Sequence, residues 1–407
     1  MNSSKLSSQN RRRFLGAGAA LSGALASCRS KTASQAPPAE PNHLGKPVSP
    51  YGSRSEHETA VRSARNPRNP ETSSSFSPLA DSCGILTPSS LHYERHHSGV
   101  PNIDPAAHRL LVHGMVDRPL IFTVADIRRL PSISRIYFLE CSGNGSSEWG
   151  KRSAPDVQRS HGLASCSEWT GVSLALVLSE VGVQSRAKWL VAEGGDPCRM
   201  QRSIPLSKAT DDVLLAWGQN GEALRPEQGY PLRSIVPGWE GNINIKWLRT
   251  IKVTDQPYMV RDETSKYTDP MPDGAARIFT FMMEAKSVIT FPSGGQTLPG
   301  AGFYEISGLA WSGRGKIARV EVSTDGGQVW RDATLQEPRL SKAFTRFRLP
   351  WKWDGRAASL ASRATDESGY VQPRGAELVA VRGLASNYHN NGIKFWGVKE
   401  DGSVSNV

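Results

Sequence analysis

The sequence predicts an α+β protein in which a mixed α/β domain is followed by an all-β sandwich. Three observations carry that prediction. Between about residues 83 and 255, strand-like and helix-like apolar patterns are interleaved. From about Ala285 the pattern changes to short strands at regular spacing, broken by turn residues. A chain of 407 residues is also long enough for two cores.

The N-terminus reads "NRRRFLGAGAALSGALASC". Arg11 and Arg12 fit a twin-arginine export signal, and the apolar stretch from Phe14 to Ala26 falls short of the roughly 20 residues that span a bilayer. Residues 1–27 are therefore expected to be a signal peptide and the protein periplasmic. Ala24-Leu25-Ala26 reads as a cleavage site, and Leu25 to Cys28 also fits a lipid-anchor signal. Residues 28–76 are rich in Ser, Pro, Arg, Asn and Glu and read as a disordered tether.

In the mixed domain, expected over 77–270, "HRLLVHGMV" and "WLRTIKVT" read as strands, and "GVSLALVLSEVGV" as a helix stopped at Gly182. "SKYTDPMPDG" reads as a linker. The sandwich is expected over 280–398, with "KSVITFPSG", "FYEISGLAW", "IARVEVSTDGGQVW" and "GAELVAVRG" as strands. Ala318, Val320 and Val322 alternate with Arg319 and Glu321, and Asp325-Gly326-Gly327 turns the chain.

Losing Lys5, Arg11, Arg12 and Arg13 with the signal takes the net charge from +11 to +7. The remaining basic residues are scattered, which argues against nucleic acid and fits an anionic cofactor or an acidic partner. No later segment is long and apolar enough for a membrane span. The cysteines are Cys28, Cys83, Cys141, Cys166 and Cys198, with no C-x-x-C or C-x-x-C-H among them, so no c-type haem motif and no zinc-finger spacing occurs. The histidines of "HYERHH" bring no fourth ligand at a usable spacing for zinc.

One window stands out. In "FLECSGNGSSEWG", Cys141 ends an apolar run and precedes a glycine-broken turn. A thiolate there is a soft ligand for a soft or high-valent metal, with room for a bulky group against the backbone. On this window alone, a disulfide to one of the other three cysteines is the favoured reading.

Five separated blocks, "PSSLHYERHHSGVPNIDPAAHRLLVHG", "FLECSGN", "GLASCSEWTGVSLALVL", "LRSIVPGWEGNINIKWLRTI" and "RATDESGYVQP", occur in the order found in sulfite-oxidase-type molybdenum enzymes. The resemblance covers roughly residues 80 to 398. It implies a molybdopterin domain followed by an immunoglobulin-like dimerisation domain, with one Mo-molybdopterin per chain. Cys141 falls on the family's molybdenum ligand. Tyr93, Glu94, Arg95, His96 and His97 fall on the cofactor loop, with Arg95 beside the metal and His96 in place of an asparagine. Asp196, Gln228, Arg233, Asn244, Ile245 and Lys246 fall on pterin contacts, Gln228 and Asn244 each replacing a histidine. Tyr267 falls on the active-site tyrosine, so Cys141, Arg95 and Tyr267 are the implied catalytic set.

The departures narrow the expectation. Ser146 and Asn390 stand where sulfite oxidases place arginines, and Arg159 stands in place of a family tryptophan. With "ECSGNGSSEW" and "SKYTD", they resemble the sulfane dehydrogenase subunits of the Sox thiosulfate-oxidising system. That resemblance implies a substrate sulfur carried on a cysteine of a carrier protein. Electrons would leave to a cytochrome c subunit, since this chain has no haem motif, and two copies would form the core of a heterotetramer. Sulfite dehydrogenase, methionine-sulfoxide reductase and a non-catalytic exported sandwich held by disulfides are the alternative expectations.

Overall fold

The computed structural model describes residues 44–65, 68–150 and 154–407. The expected signal peptide and Cys28 lie outside them. Residues 59–407 form one compact unit. Short strands β1 (Ser63–Ala64), β2 (Ser74–Phe76) and β3 (Glu94–Arg95) make a three-stranded sheet. Regular structure thus begins inside the segment expected to be a disordered tether. Apolar content explains this: Phe76 is buried against Tyr93, Leu139 and Trp169.

β4 (Arg109–Gly114), β5 (Leu120–Thr123), α1 (Val124–Arg129) and β6 (Ser132–Glu140) follow. α1 is started by a reciprocal cap, in which Thr123 Oγ1 accepts from the Asp126 N–H and the Asp126 carboxylate accepts from the Thr123 N–H. Next come α2 (Val157–His161), β7 (Ala164–Ser173), α3 (Leu174–Val181), β8 (Trp189–Gly194) and β9 (Gln201–Pro205). The helix expected in "GVSLALVLSEVGV" is α3, and it ends at Gly182 with a positive φ of 68°. α4 (Leu206–Ala209), β10 (Leu214–Gln219), β11 (Glu222–Ala223), β12 (Arg233–Ile235) and β13 (Leu248–Thr254) complete this part.

Two five-stranded sheets result. One runs β11-β10-β7-β6, with β12 also on β10. The other runs β5-β4-β13-β8-β9, in which β13 lies parallel to β4 and the other pairs are antiparallel. The buried apolar faces of β4, β13, β8 and α3 meet in a core of Leu, Val and Ile side chains. β14 (Asp269–Pro270) lies within the expected linker, which α5 (Arg261–Thr264) precedes and β15 (Ala276–Arg277) follows.

The C-terminal third is a sandwich of two antiparallel sheets. β16 (Lys286–Phe291), β17 (Gly302–Trp311), β18 (Ile317–Ser323), β19 (Arg331–Asp332), β20 (Thr334–Leu335), β21 (Thr345–Trp353) and β22 (Ala358–Asp366) lead to α6 (Gly375–Arg382), β23 (Phe395–Val398) and β24 (Val404–Asn406). The sheets are β16-β17-β21-β20 and β19-β18-β22-β23-β24. β24 carries the sandwich past the expected boundary at residue 398.

Two local expectations are corrected. "GAELVAVRG" is the helix α6, not a strand. Its first turn is capped by the Glu377 carboxylate, which accepts from the Arg374 N–H at 2.8 Å, and Gly383 ends it at positive φ. In β18 a register shift between Ile317 and Arg319 leaves Ala318 exposed, while Glu321 is buried by its ion pair with Arg363 at 2.7 Å.

The sandwich and the mixed domain share a core. Phe138 of β6 stacks on Phe344 at 6.4 Å, beside Trp311, and Leu79, Val157, Ala164 and Cys166 join the same cluster. This places the end of β6, and with it Cys141, against the sandwich.

Candidate active site

β6 is exposed at its start and fully buried at Phe138, Leu139 and Glu140. Its pairing with β7 runs to Glu140↔Ala164, and the Cys141 N–H then donates to Leu163 O at 2.9 Å. The turn that follows is closed by the Asn144 N–H on Cys141 O at 2.8 Å and by Gly145 at a φ of 80°. Asn144 Nδ2 donates to Glu140 Oε1 at 2.8 Å, and the Leu163 N–H donates to Asn144 Oδ1. Trp311 Nε1 donates to the other Glu140 oxygen at 2.7 Å, and Lys286 pairs with the same carboxylate. A buried acid next to Cys141 is thereby satisfied from both parts of the chain.

Cys83, Cys141, Cys166 and Cys198 are all free thiols, so the disulfide reading of Cys141 fails. Burial raises the Cys141 thiol pKa, opposed by the Gly143 backbone and by Arg95. Gly241 sits against this strand end. A Cβ there would lie 2.6 Å from the Tyr93 hydroxyl and 2.9 Å from Glu140 O, so only glycine fits.

One cavity opens beside Cys141. It is lined by Tyr93, Arg95, His96, His97, Asp196, Gln228, Arg233, Asn244, Ile245, Lys246 and Tyr267, together with Cys141 itself. Glu94 is the one candidate that does not line it. Its carboxylate pairs with Arg62 and accepts from His96 Nε2 at 2.8 Å, and these two partners draw it away from the cavity. His92, Leu139, Met200, Asn242 and Trp247 also line the cavity and were not foreseen as site residues.

Its chemistry is cationic. Arg233 is buried, and its guanidinium donates to Gln228 O at 2.8 Å and lies 5.0 Å over Trp169, while its Nε has no partner among the described residues. Burial lowers its pKa to about 10. Lys246 Nζ donates to Glu227 O at 3.1 Å and to His96 Nδ1 at 2.9 Å, and its pKa is pushed well down by burial and then by Arg233. Gly229, at a φ of 107°, lets the two approach: its Cβ would meet Lys246 Cβ at 3.0 Å and Arg233 Cβ at 3.2 Å. Neither cation has a carboxylate ion pair among the described residues, so the pair is set for an external anion. A molybdopterin phosphate fits that donor set, and the free Cys141 thiol fits the metal.

Other assignments are qualified by geometry. Asn244 is committed to the backbone, since Nδ2 donates to Glu240 O and Oδ1 accepts from the Val236 N–H at 2.7 Å. Asp196 accepts from the Met200 N–H at 3.1 Å and from Cys198 Sγ at 2.8 Å. His96 and His97 both have pKa values lowered to about 3, by burial first and then by Lys246 for His96 and Arg95 for His97. Both are neutral, and His97 Nε2 lies 2.8 Å from the Tyr267 hydroxyl. Tyr267 sits at a φ of 51° with the buried Arg202 guanidinium 5.3 Å from its ring. Burial raises its pKa well above the usual tyrosine value. The expected linker is therefore also a wall of the site.

A second opening leads from Cys141 to solvent past Arg95, His97, Tyr267, Ser146, Tyr388, Arg65 and Lys266. Ser146 lies where expected. Asn390 does not reach the opening; it is buried, with Oδ1 accepting from the Gly392 N–H at 3.1 Å. Arg159 is mostly exposed on α2 and sits 4.0 Å from Asp156. Arg65 and Lys266 were not foreseen: Arg65 lies outside every block of the family pattern, and in "SKYTD" only Tyr267 falls on a position to which the family gives a role.

Comparison with known proteins fits this geometry. Residues 97–261 match the oxidoreductase molybdopterin binding domain and residues 277–395 the Mo-co oxidoreductase dimerisation domain. The crystal structure of the sulfane dehydrogenase SoxCD from Paracoccus pantotrophus is similar at a TM-score of 0.88 and 46% identity, covering 90% of this chain and 96% of that chain. The NADH nitrate reductase of Ulva prolifera is 32% identical over 330 residues, covering 71% of this chain. Rat mitochondrial sulfite oxidase is 32% identical over 328 residues, covering 74% of it. The chain spans only 38% and 60% of those two proteins. Fold and cavity thus define a molybdopterin-binding oxidoreductase with a dimerisation domain. The chain belongs to the sulfite oxidase family of molybdenum enzymes, which sets aside the non-catalytic sandwich. Among the described residues no helix is long and apolar enough to cross a membrane.

Proposed function

We propose that this chain is the molybdenum subunit of a periplasmic sulfane dehydrogenase, exported by the twin-arginine route. Its substrate is sulfane sulfur on a cysteine of a carrier protein, and its electrons pass to a cytochrome c subunit. Two copies of the chain pair through the sandwich. The observation that carries the reading is the 46% identity to a sulfane dehydrogenase over nearly the whole of both chains. The sequence adds two supports: Ser146 replaces a family arginine, and no haem-attachment motif is present to receive electrons within the chain.

When bound, molybdopterin supplies two-electron oxidation of sulfur with oxygen taken from water; the protein supplies binding and orientation. Arg233 and Lys246 hold the cofactor's phosphate by charge-assisted hydrogen bonds, and Cys141 supplies the thiolate ligand. Arg95 and Tyr267 face the reacting sulfur. His97 Nε2 and the Tyr267 hydroxyl share a hydrogen bond of 2.8 Å, which holds the phenol oxygen in place beside the opening. The buried shell of Tyr93, Leu139 and Trp169 keeps water from the cofactor side.

The test is turnover of the loaded enzyme with a carrier persulfide and with free sulfite, side by side, using a cytochrome c acceptor. Preference for the carrier persulfide by orders of magnitude in kcat/KM is expected. Efficient oxidation of free sulfite with a micromolar KM would replace this reading with sulfite dehydrogenase.

A further inference from the structure

The opening beside Cys141 holds three cations, Arg65, Arg95 and Lys266, and no carboxylate lines it among the described residues. Arg95 is part of the site already described. The other two come from segments on either side of the matched molybdopterin domain, which begins at residue 97 and ends at 261. Nearby arginines are matched with acids: Arg62 pairs with Glu94, and Arg261 lies 3.4 Å from Asp262. Arg65 and Lys266 make no such pair among the described residues.

Both backbones are well placed. The Arg65 N–H donates to Ser74 O at 2.8 Å, and Ser74 is the register partner of Arg95. Arg65 therefore lies one rung across the β1-β2-β3 sheet from Arg95, about 10 Å away at two strand spacings. Lys266 sits on the turn after α5, between the Ser265 N–H donating to Arg261 O at 2.9 Å and Thr268 Oγ1 donating to Glu263 O at 2.9 Å. Glu263 is itself buried on Ser203 and Arg202. Lys266 also faces the site electrostatically, since its charge contributes to the low pKa of His97.

We propose that Arg65 and Lys266 form an anion clamp at the mouth that binds the tetrahedral sulfur oxyanion of the substrate series. The clamp takes over the role of the arginine lost at Ser146, but from exposed, flexible side chains rather than fixed ones. Long side chains at the rim admit a peptide arm and close on its charged end, whereas a rigid arginine at position 146 would fill the opening. For the carrier-borne source, a sulfonate on a cysteine, the inference rests on the function proposed above.

The test measures binding to the molybdenum-loaded dimer by calorimetry, so that it does not depend on turnover. Three probes are used: a peptide carrying S-sulfocysteine, the same peptide carrying uncharged S-methylthiocysteine, and inorganic sulfate. In Arg65→Gln and in Lys266→Gln the Kd of the S-sulfocysteine peptide should rise about fivefold each, the scale of a solvent-screened ion pair. Arg65→Lys should retain the wild-type Kd, and the uncharged peptide should shift by less than about twofold. An unchanged Kd for the S-sulfocysteine peptide, or an equal rise for the uncharged one, overturns the clamp. A parallel rise for sulfate supports it and shows that free oxyanions are also taken; a rise confined to the peptide supports it and assigns the carrier-borne source. Failure of the enzyme to oxidise a carrier persulfide would defeat the functional reading while leaving the Kd result to decide the clamp.

Discussion

Cys141 is held by backbone pairing, by the shape of its turn and by Gly241 packed against it. Its side chain is not needed for any of these contacts. Cys141→Ser should accordingly keep the fold, with a melting temperature within a few degrees of wild type, while activity falls by more than about a hundredfold as a hard oxygen replaces the soft ligand. Calorimetry and steady-state rates on the same preparation check both halves. Ser146 lies on the opening, so Ser146→Arg should lower the KM for free sulfite by about tenfold or more, at roughly 1.5–3 kcal/mol per charge-assisted contact. Asn390→Arg should not: Gly145 packs on Asn390, with 3.3 Å between its would-be Cβ and the Asn390 Cβ, and there is no room for a guanidinium. Position in a motif was enough to locate Ser146. It could not reveal that Asn390 turns inward, because that depends on a hydrogen bond to Gly392 formed only in the folded loop.

At the level of single elements, the Glu140–Lys286 ion pair ties the end of β6 to the start of β16, and both side chains are almost fully buried. Removing one partner leaves a buried charge alone. Lys286→Met should therefore cost about 3–5 kcal/mol of stability, and Glu140→Gln combined with Lys286→Met should recover part of that loss. Urea unfolding of the single and double variants provides the check. The strands and α3 were legible because their apolar spacing is long and regular. α6 was not: "GAELVAVRG" has the apolar content of a short strand, and only the cap from Glu377 and the break at Gly383 make it helical. Most of the cavity was legible as separate motifs. Glu94 was misplaced because a motif records adjacency in the chain, not the partners, here Arg62 and His96, that turn a side chain away from the site.

For the whole molecule, buried histidines set a pH dependence. His92, His96 and His97 have pKa values lowered to about 3, and His161 is lowered as well, in each case mainly by burial. The unfolded chain protonates these groups near pH 6.5 and the folded chain does not, so stability is full above that pH and falls as pH drops below it. The cofactor-free protein should lose up to about 1.4 kcal/mol per histidine per pH unit between pH 6 and pH 4. His161→Asn, away from the cavity, should reduce the slope by one proton; an unchanged slope in urea midpoints across that range would contradict the assignment.

The cysteine turn is also secured from a segment distant in the sequence: the His389 N–H donates to Ser142 O at 2.8 Å. This fixes an order of events during synthesis. As the polypeptide leaves the ribosome, the thiol emerges long before the residues that close around it. A nascent chain arrested short of residue 389 would present Cys141 on an unfinished turn, so the pocket can mature only after the segment around His389 has emerged. Truncation before residue 389 should leave a polypeptide whose thiol labels readily with a maleimide.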